Sequence, residues 1–261
     1  MNKENEIKNF WNTQSEKYRD SYLATTPDFY SHQREANALI KHLQDGADIL
    51  EYGCGNGVVS RELFKTFNFN SYLGIDYSPG MISQSKIDFA KESLYLKSTN
   101  CKYDVGDVKE HRSDHLVDFV FTDRCLINLE NHEDQVKAAK NIHSSLKKDG
   151  IFLMMECSKK SLENINVVRE RFNLEKINER WHNRYIDEER FLNDTQKHFS
   201  LQKVDSFNST YFLISRILNA LIKDESGKID YRSEINRLAA NLPPEGDYAP
   251  LKLFVLKKKG E

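Results

Sequence analysis

Three glycines at alternate positions follow an acidic residue in Glu51-Tyr52-Gly53-Cys54-Gly55-Asn56-Gly57. Glycine lets a chain turn sharply and lets a ligand reach main-chain N–H groups without meeting a Cβ. The spacing is neither the Gly-x-Gly-x-x-Gly of dinucleotide sites nor the Gly-Lys-Ser/Thr of a phosphate loop, which speaks against NAD and ATP. Two further acids suit a nucleoside. Asp76 could accept both hydroxyls of a ribose, and Asp107 could accept from an adenine amino group while the backbone of Val108 meets a ring nitrogen. Each feature alone also has a structural explanation, because glycine turns and Asp caps are common in connections.

A second set of residues suits a ligand of anionic character. Within Thr122-Asp123-Arg124-Cys125-Leu126-Ile127-Asn128-Leu129, Arg124 offers a permanent charge on a planar fork that fits phosphate, phosphoramidate or carboxylate. The alternative is that Arg124 pairs with Asp123 or a helix end. Arg180-Trp181-His182-Asn183-Arg184-Tyr185 mixes imidazole, guanidinium, amide and phenol, with His182 a candidate base or phosphate donor and Tyr185 and Tyr18 further candidates. A solvated charged loop around a packed Trp explains the same cluster without a ligand.

These residues need elements to hold them. Asp48–Tyr52 reads as a buried strand running into the glycine turn, and Val58–Phe67 restores helical periodicity. Ser71–Ile75 repeats the strand pattern up to Asp76, and Ser78-Pro79 opens a helix to about residue 93. Strands are expected at Lys102–Val105, Val117–Thr122 and, after the Asp149-Gly150 turn, Ile151–Glu156, with a helix at His132–Leu146. This alternation predicts an α/β fold with a parallel sheet and helices on both faces, so that Asp76, Asp107 and the glycine turn lie together at strand carboxyl ends. Residues 1–45 carry a helical lead-in with Phe10, Trp11 and Tyr18, broken near Pro27. In the remaining body, 46–261, residues 158–198 look helical, strands are expected at Leu201–Phe207 and Leu251–Leu256, and 208–249 is too long for a hairpin and reads as a helical cap.

The chain has 261 residues, 39% hydrophobic and 11% aromatic, enough for a sizeable core. Lys and Arg total 38 against 40 Asp and Glu, so no global basic field exists to hold a nucleic acid. No apolar run is long enough to span a bilayer and the first residues lack the apolar stretch of a signal peptide, giving the expectation of a soluble, cytoplasmic protein without a membrane partner. Four cysteines are widely spaced, with no CxxC pair and no metal-ligand cluster, so reduced thiols and no metal are expected.

Over residues 46 to 157, the order of these motifs resembles the class I S-adenosylmethionine-dependent methyltransferases. Glu51–Gly57 looks like motif I, Asp76 like the ribose-binding acid, Asp107 and Val108 like the adenine contact, and Val117–Leu129, with Thr122, like motif IV. The resemblance implies a Rossmann-like sheet of six parallel strands plus one antiparallel, and S-adenosyl-L-methionine as cofactor held by Glu51, Gly53, Gly55, Gly57, Asp76, Asp107, Val108 and Thr122. Trp11 and Tyr18 are similar to a family helix folded over that cofactor. The Asn/Asp-Pro-Pro-Tyr/Phe motif of amide and exocyclic-amine methylation is absent, as is the Pro-Cys pair of cytosine C5 attack. The segments Asp123–Leu129, Met155-Glu156 and Trp181–Tyr185 further resemble bacterial methyltransferases of the capsular-polysaccharide O-methyl phosphoramidate pathway. That implies O-methylation of an anionic phosphoramidate or phosphate group on a small precursor. N- or O-methylation of a sugar nucleotide or other metabolite, and cofactor binding without turnover, remain the alternatives.

Overall fold

A computed structural model describes residues 3–98, 100–222 and 230–260. Two helices, α1 (Lys3–Tyr18) and α2 (Phe29–Ile40), precede the sheet. Asp28 caps α2 by accepting from Ser31 N–H at 3.1 Å. The body then runs β1 (Asp48–Tyr52), α3 (Val58–Thr66), β2 (Ser71–Asp76), α4 (Pro79–Glu92), β3 (Cys101–Val105), β4 (Val117–Asp123), α5 (His132–Ser145) and β5 (Leu146–Cys157). The C-terminal part adds α6 (Lys159–Arg171), α7 (Glu188–Thr195), β6 (Phe199–Asp205), α8 (Ser209–Leu221), α9 (Glu234–Ala239) and β7 (Leu251–Lys258).

The seven strands form one sheet in the order β3-β2-β1-β4-β5-β7-β6. β1 pairs in parallel with β2 and β4, while β7 runs antiparallel to both β5 and β6, so six strands are parallel and one opposes them, as expected. The order reverses beside β1. Right-handed crossovers therefore put α3 and α4 on one face and α5 on the other, and a crevice opens at the carboxyl ends where the directions part. Leu50, Val120, Phe152, Leu153 and Phe254 are fully buried in the middle of the sheet. These strands read as apolar runs because both their faces are covered.

Two expectations are corrected. β5 begins at Leu146, five residues before Ile151, and carries the Asp149-Gly150 turn within it, with Asp149 left-handed at φ 64°. Residues 158–198 are not helical throughout: α6 ends near Asn173, itself left-handed at φ 52°, and 172–187 is an irregular strap that returns to the sheet through a bridge between Ser158 and Ile186. Within 208–249, α8 and α9 give the helical cap; residues 223–229 of that span lie outside the described residues. No described helix is long and apolar enough to cross a membrane.

Candidate active site

A cavity of about 350 Å³ lies along the strand carboxyl ends and is walled by α1, α2, the strap 172–187 and α8. One half is built by the turns after β1, β2 and β3. Gly53 and Cys54 donate their N–H groups to Ile75 O at 2.7 and 3.1 Å, and Gly55 N–H donates to Asp76 Oδ2 at 2.9 Å, so the glycine turn is clipped to the end of β2. Asp76 also accepts from Ser78 N–H at 2.8 Å, which starts α4; burial raises its carboxyl and these two bonds oppose the rise. Asp107, with Lys109 N–H on its Oδ1 at 2.8 Å, and the buried Val108 line the same half.

The three glycines have different tasks. A Cβ on Gly53 would stand 2.6 Å from Cys125 Cβ, so only glycine lets the turn after β1 meet the loop after β4. Gly55 faces the cavity, where an added Cβ would meet only Thr25, at 3.6 Å. Gly57 does not line it: its Cβ direction points at Tyr103 and Ser85, 3.1–3.2 Å away, and its left-handed φ of 73° leads into α3. Thr122 is likewise outside the lining, fully buried at the end of β4. Glu51 borders the cavity and accepts from Tyr72 Oη; burial pushes its carboxyl up to about 8, against that bond.

The N-terminal segment closes over this half. Trp11 lines the cavity and donates from its indole to Asn128 Oδ1 at 3.1 Å, and Lys109 bonds Glu4 of α1 at 3.0 Å. Asn56, which the sequence reading passed over, is fully buried and donates to Arg19 O and Ser21 O at 2.6 and 3.0 Å, leaving its Oδ1 unpaired on the cavity wall. Tyr18 is not brought to the cavity. It lies in a shallow cleft beside it, with Lys17 over its ring at 4.8 Å.

The other half is organised around Arg124. Arg124 leaves β4 at φ 55° and donates both ends of its fork to Glu35 of α2, at 2.8 Å each, with Asp123 at 3.4 Å. The expectation of a fork free to grip an anion is thereby corrected: its two terminal nitrogens are engaged by a carboxylate contributed from 89 residues away. Burial alone would raise Glu35, but the guanidinium and His32 hold it at about 2. Burial lifts Asp123 to about 7 against the pull of Arg124, helped by Glu35 and Glu156. Glu156, at the end of β5, accepts from Cys125, Leu126 and Ile127 N–H at 3.1, 2.9 and 3.2 Å, fixing the loop that carries Arg124.

His182 is 4% exposed, stacked on Phe10 at 4.5 Å, and lines the cavity with an unpaired Nδ1. Burial, with Arg180 and Lys3 adding repulsion, pushes it down to about 4, so it is a neutral imidazole and not a cation. Arg184 is taken up elsewhere, donating Nε to Glu130 O at 2.7 Å. Tyr185 lines the cavity, its phenol raised by burial beside Cys157. The cap contributes Asn208, Phe212 and Arg216; Arg216 donates to Asp28 at 2.7 Å and lies over the rings of Phe212 and Tyr231 at 4.5 and 4.6 Å. Among the missed residues, Glu35 left one sequence signal: Ser31 and Glu35 place polar groups on the helical face that also buries Leu39.

These features fit an adenosyl ligand. A Cβ-free surface at Gly55, an unpaired acceptor at Asn56 and carboxylates at Asp76 and Asp107 surround apolar walls at Ile75, Met81 and Val108. Residues 43–223 match the family described as Methyltransferase domain. The chain is 31% identical over 160 residues to human EEF1A lysine methyltransferase 2, covering 57% of this chain and 66% of that one, and 27% identical over 90 residues to trans-aconitate 2-methyltransferase of Enterobacter sp. (strain 638), covering 34% and 32%. Each match spans less than two thirds of the relative's own length. In fold it is similar to a TehB-like SAM-dependent methyltransferase from Corynebacterium glutamicum (TM-score 0.57, 18% identity, 95% and 98% of the two chains) and to Haemonchus contortus phosphoethanolamine N-methyltransferase 1 (TM-score 0.62, 16% identity, 98% and 49%). A match over most of the chain, on a sheet of this order with a cavity at its reversal, places the protein in that methyltransferase-domain family, the class I S-adenosyl-L-methionine-dependent methyltransferases.

Proposed function

We propose that this protein transfers a methyl group from S-adenosyl-L-methionine to a small anionic acceptor, with a phosphoramidate or phosphate oxygen of a capsular-polysaccharide precursor the acceptor to try first, in the cytoplasm. The observation that carries the reading is the single cavity joining the nucleoside half to a second half lined by Arg124, Arg180 and Arg216. Two carboxylates, Asp28 and Asp123, line that second half with them, and burial pushes Asp123 toward its neutral form. Glu35 neutralises Arg124 and Asp28 pairs with Arg216, so the charge left to draw an anion is that of Arg180. Trans-aconitate and phosphoethanolamine, named for two of the similar proteins, also carry anionic groups.

The cofactor supplies the methyl group as a sulfonium when bound. Asp76 would hold the ribose, Asp107 and Val108 the adenine, and Gly53, Gly55 and Glu51 the end nearest the acceptor. Trp11 and α1 would cover the site and exclude water, which an in-line displacement requires more than it requires a covalent nucleophile. An anionic oxygen needs no strong base, and His182, neutral at working pH, would serve as a hydrogen-bonding partner. The test is a screen with methyl-labelled S-adenosyl-L-methionine across phosphoramidate, nucleotide and sugar-phosphate acceptors, with mass spectrometry locating the label. Methylation confined to neutral acceptors would refute the anionic reading.

A further inference from the structure

One run of hydrogen bonds crosses the second half of the cavity. Asn208 Nδ2 donates to Ser31 Oγ at 2.8 Å, Ser31 Oγ donates to Glu35 Oε1 at 3.1 Å, and Arg124 donates to both Glu35 oxygens and, at 3.4 Å, to Asp123 Oδ2. Direction follows from inventory. Glu35 can only accept, so Ser31 spends its proton there and can only accept from Asn208; the Asn208 amide is thereby turned with its nitrogen to Ser31. At both ends of the run an oxygen is left over, an acceptor at Asn208 and, when its carboxyl is ionised, at Asp123. Asn208 Oδ1 and Asp123 Oδ1 are buried and have no hydrogen-bond donor, although Arg124 Nε stands 3.4 Å from the latter at ion-pair range. Both residues line the cavity, and their side chains are almost wholly out of solvent. Buried polar atoms left unpaired in this way are uncommon and unfavourable, and two lining one cavity ask for donors from a ligand.

From this geometry we infer that the methyl acceptor carries amine or amide N–H donors beside its anionic group, read by Asp123 Oδ1 and Asn208 Oδ1, and that Arg124 and Glu35 are positioning residues that hold Asp123 in place. The inference rests on the methyltransferase reading and narrows its substrate class. A donor-free anion would leave both oxygens unpaired. An amino-bearing one satisfies them while its anionic end meets Arg180 or Arg216.

The test uses matched probes in which an amino group is replaced by methyl: phosphoramidate against methylphosphonate, and 2-aminoethyl phosphate against propyl phosphate. Each is titrated calorimetrically into the full chain saturated with S-adenosyl-L-homocysteine. At least one amino member is expected to bind about tenfold more tightly than its methyl partner, the worth of one well-made buried hydrogen bond. Asn208→Leu should shrink that ratio. Asp123→Asn should reverse it, because the amide oxygen stays on Arg124 and its N–H2 then occupies the position of the unpaired oxygen; this nearly isosteric variant also keeps the test valid if Asn208→Leu fails to fold. Equal binding within both pairs, no binding by either amino member at millimolar concentration, or an unchanged ratio in Asp123→Asn would overturn the inference. So would loss of S-adenosyl-L-homocysteine affinity in Asp123→Asn, which would assign the oxygen to the cofactor. If the homocysteine does not bind the wild type at all, the underlying methyltransferase reading fails instead.

Discussion

Arg124 occupies the left-handed region at φ 55°, unfavourable for a residue with a Cβ, and is held there by two Glu35 bonds and by donating its N–H to Met155 O at 2.9 Å. Glu35 is wholly buried, so removing its partner leaves a charge without compensation. Arg124→Ala is expected to destabilise the fold by about 3–5 kcal/mol. Chemical denaturation measures this, and the double variant with Glu35→Leu should recover much of the loss; a single variant as stable as wild type would contradict the pairing. Asp76→Ala, by contrast, should chiefly weaken cofactor binding, by about 1.5–3 kcal/mol in titration calorimetry. At this scale the sequence displayed Arg124, Asp76, Asp107 and the glycines, because their place in a local motif is visible. It hid the partners. Glu35 lies 89 residues from Arg124 and Asn208 lies 177 from Ser31, and no periodicity encodes such pairings.

The strand ends that carry the nucleoside half have the boundaries that local signals mark best. β1 spans Asp48–Tyr52 as its apolar run predicted, and α4 starts at Pro79 behind a Ser78 cap that accepts from Met81 N–H. The strap 172–187 departs from the expected helix because its few apolar residues serve tertiary contacts. Ile177 and Tyr185 pack on a small separate cluster with Leu162, Ile165 and Ile217 between α6 and α8. α1 is tied on by buried Ile7, by Phe10 stacked on His182 and by polar links at several points, including Lys109–Glu4, Tyr77 Oη to Glu4 O at 3.0 Å and Ser78 Oγ to Asn12 Oδ1 at 2.6 Å. Such links open at small free-energy expense. Hydrogen exchange in α1 and α8 should therefore slow when S-adenosyl-L-homocysteine and an anionic acceptor are added. Unchanged exchange in both helices would show that neither closes over ligand.

Across the whole molecule, buried acids set an unusual dependence of stability on pH. Folding raises Glu51 to about 8 and Asp123 and Glu156 to about 7, so the folded chain keeps protons that the unfolded chain releases above the ordinary carboxyl value of 4.5 or below. Their contribution is full at low pH and is lost as pH rises through 7 to 8. Glu35, held at about 2, and His182, held at about 4, act in the opposite sense: the unfolded chain gains protons first as pH falls, and stability drops. Below 6.5 the raised acids, Asp76 among them, are opposed by the lowered histidines His42, His111, His182 and His198; above it the raised acids alone set the trend, so the ligand-free melting temperature should decline from pH 6.5 toward pH 8. A melting temperature that climbs from pH 6.5 to pH 8 would contradict these assignments.

The sheet order, the reversal beside β1 and the cavity along its edge make one claim about the molecule: a nucleoside sits at the ends of β1 to β3 and an acceptor sits between α2, the strap and α8. The most direct measurement is a crystal structure of the full chain with S-adenosyl-L-homocysteine. The ribose is expected within hydrogen-bonding distance of Asp76, the adenine against Asp107 and Val108, and the sulfur turned toward the half walled by Arg124 and Arg216. A nucleoside bound away from Asp76, or a sulfur facing out of the cavity, would contradict it.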